Sequence, residues 1–466
     1  MKPTRLFPNV LAAFLCIVAG CQPEKPAQNP GAAEGVRDPG VRGGPPAAGD
    51  PLPGLTDDER AFFDDGLARF LETDAVPDGL GPRFNANQCA VCHIQPATGG
   101  SSPARNPLLA IATLDSAKNQ VPWFIAPDGP IREARFKTNP DGSTDGGVHA
   151  IFVITGRTDA GGCTLSQPAF APAGDPQSGQ GGNPNVIFRI PTPVFGAGLI
   201  EAIPDAEILA NIRAHDAEKK AFGVSGHPNA HISGTANVNA NDGTITRFGW
   251  KAQNKSLLLF AAEAYNVEMG VTNPLFPQER DESGGCVLNT TPEDNNHFAD
   301  SPGAATLSDM EAFAIFMRLL APPAPAPETP ETARGKVLFS SAGCASCHTP
   351  SFVTGPRISS GGSRKPSAAL SGVTANLYSD LLVHSMGKGL ADGITQGAAG
   401  PEEFRTAPLW GVGQRVFFLH DGRTTDIVAA IEAHWGKGSE ANQVIEKFNR
   451  MSGPEQQAIV DFLRSL

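Results

Sequence analysis

Two Cys-x-x-Cys-His pentapeptides constrain this chain more than any other feature of its sequence. One runs from Cys89 to His93 and the other from Cys344 to His348. The spacing has a chemical reason, because one thiol adds to each vinyl group of a haem while the adjacent His supplies the proximal nitrogen to iron. The predicted cofactor-binding residues are Cys89, Cys92, His93, Cys344, Cys347 and His348, with His93 and His348 as iron ligands.

A zinc site or a thiol redox site is the alternative interpretation of a C-x-x-C pair. Zinc needs four ligands, and neither pentapeptide has a second Cys or His pair nearby in the sequence. With 8 Cys and 10 His in 466 residues, chance would produce roughly 0.003 such pentapeptides in a chain. The two motifs together therefore predict two covalently bound haem c groups.

The first 21 residues are typical of an export signal. Lys2 and Arg5 form a basic start, residues 10–18 are apolar, and Cys21 ends a small-residue cleavage motif. This motif resembles a bacterial lipobox, which implies a lipid on Cys21, and an ordinary signal peptide with an accidental Cys is the alternative. A Gln follows the Cys, which in such lipoproteins implies the outer membrane. We expect an exported protein on the periplasmic side, held to a bacterial membrane only through this lipid anchor.

The cysteine count agrees with an oxidising compartment. Cys16 and Cys21 belong to the signal and four cysteines belong to the pentapeptides, which leaves Cys163 and Cys286. Each follows a pair of glycines, as loop residues do. Two leftover thiols outside the cytoplasm usually pair, so the sequence predicts a Cys163–Cys286 disulfide, with two unpaired buried cysteines as the alternative.

The acidic balance of the chain limits the choice of partners. The formal net charge is −12, which argues against a nucleic-acid partner because the phosphate backbone is also negative. The same charge favours a basic electron-transfer partner. We therefore expect an electron-donor cytochrome or a similar redox protein as the partner.

The composition predicts a mainly α fold of two cytochrome c-like haem domains with long loops. With 52 Gly and 42 Pro, extended loops should wrap a modest helical scaffold. Strand-like runs within residues 148–200 predict a small β insertion in the amino-terminal part. The predicted segments are a lipoprotein signal peptide (1–21), a flexible spacer (22–54), an amino-terminal haem domain with the insertion (55–320), a Pro-rich linker (321–330) and a carboxy-terminal haem domain (331–466).

Helix signals stand where cytochrome c domains need them. Capping boxes or equivalent start signals, followed by apolar residues at helical spacing, predict four helices. They are a helix over 61–71 before the first pentapeptide, one from Ser308 to Leu320, one over 331–339 before the second pentapeptide, and a last helix that starts at Ser452. A loose internal repeat, residues 189–198 against 405–413, favours a duplication, with convergent Gly/Pro loops as the alternative.

Five further motifs resemble one known family. They are residues 379–393, 405–411, 420–423, 198–205 and 247–252. Together they resemble the di-haem oxidoreductase family, whose members are described as peroxidase-like or thiol oxidoreductase-like. That family is distantly similar to bacterial di-haem cytochrome c peroxidases, to the enzyme that matures methylamine dehydrogenase, and to di-haem rubber oxygenases. The thiol label finds little support, because haem takes both C-x-x-C pairs.

The resemblance implies a sixth ligand for the carboxy-terminal haem. In the relatives, a short helix after a segment like residues 420–423 carries this ligand as Met, Tyr or His. His434 falls at that place, Met386 is the second candidate, and an open position is the third possibility. His384 and His420 are then interpreted as partners of haem propionates or of loops rather than as iron ligands.

The same resemblance implies two catalytic candidates beside the amino-terminal haem. Trp250 resembles the Trp that lies between the haems of the peroxidases, and Glu268 resembles the acid–base Glu of their reactive pocket. A core aromatic and a charge at a surface helix end are the respective alternatives. Phe260 stands about where a Gln is expected, which implies an apolar pocket suited to oxygen or to an organic substrate.

The leading hypothesis is a di-haem, peroxidase-like oxidoreductase. The carboxy-terminal haem would accept electrons, and they would pass near Trp250 to the amino-terminal haem, where peroxide or a related oxidant is reduced. A non-catalytic di-haem electron-transfer cytochrome is the second hypothesis. An oxidase that modifies a protein or an organic substrate is the third.

Overall fold

A computed structural model describes residues 31–170, 185–214, 216–230, 245–280, 284–297, 303–362 and 365–466. The export signal and Cys21 lie outside these described residues. Helix accounts for 31% and strand for 11%, so the expectation of a mainly helical fold with small sheets is confirmed. No helix within the described ranges is both long enough and apolar enough to cross a bilayer.

The α-helices are α1 (Asp57–Phe70), α2 (Cys89–Cys92), α3 (Leu108–Ile111), α4 (Ala197–Glu201), α5 (Asp205–Ala214), α6 (Asp216–Ala221), α7 (Leu257–Ala264), α8 (Asp309–Leu319), α9 (Pro330–Ala342), α10 (Ile427–Glu432), α11 (Asn442–Asn449) and α12 (Gly453–Ser465). The strands are β1 (Arg83–Phe84), β2 (Glu133–Phe136), β3 (Val148–His149), β4 (Phe152–Val153), β5 (Val186–Arg189), β6 (Phe352–Val353), β7 (Thr374–Ala375), β8 (Val383–Ser385) and β9 (Glu403–Arg405).

The four helices expected from capping signals are all present. Thr56 and Ser308 close capping boxes on α1 and α8, and Ser452 does so on α12. Thr329 caps α9, with Pro330 in its first turn. Each cap satisfies backbone N–H groups that a helix start would otherwise leave without a partner.

The expected β insertion is a three-stranded antiparallel sheet in the order β3-β2-β5. In β2, Ala134 pairs with His149 of β3 and with Phe188 of β5. The paired strands β1 and β4 lie nearby in the chain, with Phe84 opposite Phe152. The predicted Cys163–Cys286 disulfide is confirmed, and it joins the segment after β4 to the segment before α8.

Two helix pairs form matching cores in the two halves of the chain. In the first pair, α1 packs on α8, and Phe63 lies 5.3 Å from Phe316 between ring centroids. In the second, α9 packs on α12, and Phe339 lies 5.5 Å from Phe462. Phenylalanine at this contact buries a large apolar area in each half.

The closest approach within each helix pair also matches. A Cβ added to Gly66 of α1 would lie 2.5 Å from the Ala312 carbonyl oxygen of α8. A Cβ added to Gly335 of α9 would lie 1.9 Å from the Ala458 carbonyl oxygen of α12. Only glycine lets the two backbones come this near. The same contact in both halves supports the duplication that the loose sequence repeat favours.

Residues 31–54, part of the predicted flexible spacer, are packed against the carboxy-terminal part. Asp38 forms a buried ion pair with Arg464 of α12 at 2.6 Å. The backbone N–H of Arg42 donates to the Gly413 carbonyl at 2.8 Å. The Pro-rich linker meets the same stretch, since the N–H of Ala321 donates to the carbonyl of Asp50. These contacts hold the stretch in place, so within the described residues it is not a free spacer.

Candidate haem sites

Each pentapeptide lies in the wall of a separate cavity. The amino-terminal cavity, which includes Cys89 and His93 in its lining, has a volume of about 940 Å³ and adjoins a space of about 520 Å³ that also reaches Cys92. The carboxy-terminal cavity, which includes Cys344 and Cys347, has a volume of about 1410 Å³. Each pentapeptide therefore borders its own open space in which a cofactor could lie.

The histidine of each pentapeptide is oriented by a backbone carbonyl. His93 Nδ1 lies 3.0 Å from the Gly100 carbonyl oxygen, and His348 Nδ1 lies 3.0 Å from that of Tyr378. Donation from Nδ1 leaves Nε2 with the lone pair that a metal ligand needs. Burial lowers the pKa of His93, and it lowers that of His348 to about 4. Both imidazoles are therefore neutral, the form that binds iron.

A second hydrogen bond repeats beside each oriented histidine. Ser101, next to Gly100, donates its hydroxyl to the Pro191 carbonyl at 2.7 Å. Ser379, next to Tyr378, donates to the Thr406 carbonyl at 2.6 Å. The two acceptors, Pro191 and Thr406, lie within the two segments of the loose internal repeat. The repeat therefore corresponds to one wall of each cavity.

His434 faces the carboxy-terminal cavity at the end of α10, the short helix that the sequence predicts. Its Nδ1 lies 2.8 Å from the Ala430 carbonyl oxygen, the same arrangement as in the pentapeptide histidines. Repulsion from His434 also helps to lower the pKa of His348, so the two imidazoles share one space. Met386 lines the same cavity. The structure thus brings both predicted sixth-ligand candidates to the second pentapeptide.

His384 and His420 line this cavity with their nitrogens or rings already engaged. His384 Nδ1 lies 3.0 Å from Glu440 Oε2, and its Nε2 lies 3.1 Å from Asp380 Oδ2. His420 stacks on Phe404 at 4.4 Å between ring centroids, and burial lowers its pKa to about 4. These surroundings fit positioning roles for both side chains.

Two arginines of the carboxy-terminal cavity fit the acid groups of a haem. Arg405 donates through Nε to the Gly249 carbonyl at 3.0 Å. The guanidinium of Arg415 has no hydrogen-bond acceptor among the described residues. Burial lowers the pKa of each to about 10. A buried cation without a partner is costly, and the two carboxylates that haem carries would supply the missing anions.

The amino-terminal cavity carries several ionisable side chains. Glu133 and Arg135 of β2 form an ion pair in its wall, and Glu263 and Glu268 approach from α7 and the turn after it. Glu268 lies in a π-helical turn, Tyr265–Met269, a distortion that often marks functional sites. Burial, then repulsion from Glu133 and Glu263, raises the pKa of Glu268 to about 8. Glu268 is partly buried and lines the cavity.

Phe260 lines the amino-terminal cavity, where apolar and ionisable side chains are mixed. Gln253 lines the same cavity, together with the carboxylates of Glu133, Glu263 and Glu268. A glutamine side chain thus lies in this cavity, seven residues before position 260 in the chain. Phe260 instead stacks on Phe248 at 6.1 Å between ring centroids.

Trp250 lies between the two cavities and lines both of them. Its indole N–H donates to the Ile190 carbonyl at 2.9 Å. On the other side, its ring lies 6.3 Å from His420 in an edge-on arrangement. A space of about 530 Å³ beside Trp250 adjoins both cavities and is also lined by Phe260 and Trp410.

A buried ion trio fixes the loops around Trp250. Asp392 lies 2.7 Å from Arg189 Nη2 and 3.1 Å from Lys251 Nζ, and all three side chains are almost fully buried. Lys251 Nζ also lies 4.2 Å above the centre of the Phe404 ring. The trio joins β5, the Trp250 loop and the loop before β9. It therefore ties the walls of the two cavities together.

Sequence reasoning missed most of the polar lining. The missed residues are Glu133, Arg135, Gln253, Glu263 and Arg415. Glu133 and Arg135 alternate on one strand, which signals a shared face, but nothing local shows that the face meets Glu268. Within the described residues, no group of three or more His, Cys, Asp or Glu side chains has the geometry of a metal site.

One family model matches more than half of the chain. The family model described as "Di-haem oxidoreductase, putative peroxidase" matches residues 183–466. No curated protein matches the chain.

Two solved structures align over part of the chain. One is a Kuenenia stuttgartiensis hydrazine synthase (16% identity, 39% of this chain, 59% of that chain, TM-score 0.22). The other is the diheme peroxidase BthA of Burkholderia thailandensis E264 (16% identity, 47% of this chain, 65% of that chain, TM-score 0.28). The alignment thus spans less than two thirds of either chain.

Proposed function

Because the chain belongs to the di-haem oxidoreductase family, we propose that it is a peroxidase-like enzyme that reduces peroxide or a related oxidant. Family membership implies haem cofactors. We further propose that both haems are attached covalently, one at Cys89 and Cys92 and one at Cys344 and Cys347. The unpaired state of these four thiols at the cavity walls supports attachment.

The observation that carries this proposal is the position of Glu268 in the polar amino-terminal cavity. Haem, when bound beside it, supplies an iron that exchanges electrons with an oxidant. Glu268 would take the proton from one peroxide oxygen and return it to the other. Gln253 would orient the oxidant through its amide. The ion pair of Glu133 with Arg135 keeps one negative charge fixed nearby, which favours a proton on Glu268.

The carboxy-terminal cavity is proposed as the side where electrons enter. His434, held by the Ala430 carbonyl, would bind the same haem iron as His348, while Met386 is the second candidate. Its lining is mostly apolar, which suits electron transfer rather than proton chemistry. Trp250 would stand on the route to the amino-terminal cavity, because it lines both cavities.

Electron paramagnetic resonance (EPR) of the oxidised, haem-loaded protein tests this division. We expect one high-spin ferric signal from the amino-terminal site and one low-spin signal from the site with His434. Addition of peroxide should change only the high-spin signal, and a reduced donor cytochrome should then be oxidised catalytically. Two low-spin signals without any response to peroxide would overturn the proposal and leave an electron-transfer cytochrome.

An oxidase of a protein or an organic substrate is the other alternative. Phe260, Phe70 and Phe313 give the amino-terminal cavity part of an apolar lining. Such an enzyme would consume peroxide or oxygen only when its second substrate is present. Donor-dependent peroxide reduction without any organic substrate would exclude it.

We also propose that the protein works outside the cytoplasm. The lipobox-like motif at Cys21 supports a lipid anchor on the periplasmic side, and the Gln that follows Cys21 favours the outer membrane. The Cys163–Cys286 disulfide fits an oxidising compartment. The net charge of −12 supports a basic electron-donor protein as partner and argues against nucleic acid. Labelling with radioactive palmitate, lost in Cys21→Ala, tests the anchor.

A further inference from the structure

Tyr265 places a phenol in the wall of the amino-terminal cavity, in the same π-helical turn as Glu268. The side chain is buried, with 4% of its surface exposed. Its hydroxyl lies 2.9 Å from Asp74 Oδ2 and 3.2 Å from Asp309 Oδ2. A phenol in direct hydrogen bond with a carboxylate has a proton acceptor already in place.

Asp74 is suited to accept that proton. Burial, then repulsion from Asp309 and Glu72, raises the pKa of Asp74 to about 7, although the hydrogen bond from Tyr265 opposes this shift. Asp309 is less available, because its other oxygen is held by Arg69 at 2.9 Å. An acceptor whose pKa is near neutrality can both take up a proton and release it again.

Aromatic rings connect Tyr265 to the first pentapeptide. Tyr265 lies 5.1 Å from Phe313 in an edge-on contact, and Phe313 lies 6.1 Å from Phe70. Phe70 in turn lies 6.2 Å from the ring of His93. The phenol is therefore within a continuous packed cluster that reaches the iron-binding histidine.

The only other tyrosine of the chain provides an internal contrast. Tyr378 lies beside the second pentapeptide and packs against Phe339 and Phe462. Burial raises its pKa, but no described residue accepts a hydrogen bond from its hydroxyl. Each half thus has one tyrosine near its haem site, and only Tyr265 has a carboxylate partner.

We propose that Tyr265 is a redox-active residue of the amino-terminal site, which gives up an electron while its hydroxyl proton moves to Asp74. The inference rests on the proposed reduction of peroxide at this cavity. Tyr265 would then store one oxidising equivalent within the protein until a reduced electron donor binds. Trp250 lies in the wall of the amino-terminal cavity that faces the carboxy-terminal cavity.

The step balances in atoms and charge. Peroxide takes up two electrons and two protons to become two waters. Tyr265 supplies one of these electrons, and the electron donor supplies the other and later returns the one that Tyr265 lent. The O–H bond of Tyr265 breaks, an O–H bond forms at Asp74 Oδ2, and a neutral tyrosyl radical faces a neutral carboxylic acid. The return of the electron brings the proton back.

The test uses the haem-loaded protein and an oxidant that does not depend on peroxide chemistry. Illumination with ruthenium(II) tris-bipyridine and persulfate withdraws single electrons, and EPR at low temperature identifies a tyrosyl radical. We expect a signal in the wild type that is lost in Tyr265→Phe and kept in Tyr378→Phe. Asp74→Asn should slow its formation by about 10²-fold, at the low end of general-base effects.

Peroxide in place of illumination separates the two proposals. If the enzyme turns over peroxide but no Tyr265 radical forms with either oxidant, the tyrosine inference fails and the proposed function stands. If illumination forms the radical but peroxide is not turned over, the proposed function fails and the Tyr265–Asp74 pair remains. A signal that persists in Tyr265→Phe, or one that is lost in Tyr378→Phe, overturns the inference directly.

Discussion

The two cavities share one construction plan and differ in what fills their walls. Both have a pentapeptide histidine held by a carbonyl, a serine hydrogen bond beside it, and a helix pair that meets at a glycine. The amino-terminal cavity adds carboxylates, an amide and a phenol with its own proton acceptor. The carboxy-terminal cavity adds His434 and mostly apolar side chains. After a duplication, the scaffold is thus conserved in form while the chemistry of the lining differs.

Under the proposed function, this difference would give proton transfer to one haem site and electron transfer to the other. Proton transfer needs groups whose pKa lies near the working pH, and burial beside other carboxylates gives Glu268 such a value. Electron transfer needs a fixed ligand set and little else. The buried trio of Arg189, Asp392 and Lys251 then keeps the two walls in register.

Of the changes considered, removal of the Glu268 carboxylate should have the largest effect, and it should lower the activity at the amino-terminal cavity. Glu268→Gln keeps the shape but removes the proton carrier, so kcat for peroxide should fall by about 10²- to 10⁴-fold. The matched control is Glu293→Gln, a carboxyl whose pKa burial also raises but which bonds Thr272 away from either cavity. Stopped-flow kinetics with a reduced donor cytochrome measures both. Equal rates in Glu268→Gln and the wild type would show that the polar lining is not catalytic.

Loss of the disulfide should destabilise the amino-terminal region more than the carboxy-terminal region. Cys163 and Cys286 are 123 residues apart, and a loop of this length predicts a loss of about 5 kcal/mol in the free energy of unfolding. Cys163→Ala with Cys286→Ala should lower the urea midpoint, and hydrogen exchange should rise around the amino-terminal cavity. Helices α9 and α12 serve as the internal control. An equal rise in those helices would mean that the bond stabilises both halves alike.

A substitution at His434 should remove the proposed sixth iron ligand of the carboxy-terminal site, so that this site resembles the amino-terminal one in spin state. His434→Gly opens the sixth position, so the low-spin ferric signal should become high-spin and cyanide should bind about 10²-fold more tightly, equal to about 2.7 kcal/mol. Met386→Ala is the control and should change neither quantity. The reverse result would assign the ligand to Met386. Added imidazole should restore the low-spin signal in His434→Gly.

The sequence predicts the shared scaffold much better than the contrasting linings. The pentapeptides, the capping residues of α1, α8 and α12, and the Cys163–Cys286 pair are local signals or follow from counting. The position of His434 at the carboxy-terminal cavity also follows from the sequence, through the family resemblance of residues 420–423 and the short helix after them. These features depend on few residues that are near one another in the chain.

The linings depend on contacts between distant segments, which no local pattern records. Tyr265 meets Asp74 across 191 positions, and Glu133 meets Glu268 because a strand and a π-helical turn converge on one space. The amide at the amino-terminal cavity shows the same limit. An expected position, 260, holds Phe, while Gln253 reaches the cavity from another part of the loop.

The smallest expected effect is a pH dependence that tests which group carries the proton. Glu268 must be ionised to accept a proton from peroxide, and with a pKa of about 8 only about a tenth of it is ionised at pH 7. The value of kcat/KM should therefore rise with pH, by up to about tenfold between pH 7 and pH 9. Two other buried groups titrate nearby, Asp74 at about 7 and Lys251 at about 8. Glu268→Gln should flatten the profile, while Asp74→Asn and Lys251→Met should keep the rise.

The opposite outcome would be a rise that survives in Glu268→Gln and disappears in Asp74→Asn. Proton transfer would then belong to the Tyr265 side of the cavity, and the contrast between the two haem sites would rest on the Tyr265–Asp74 pair.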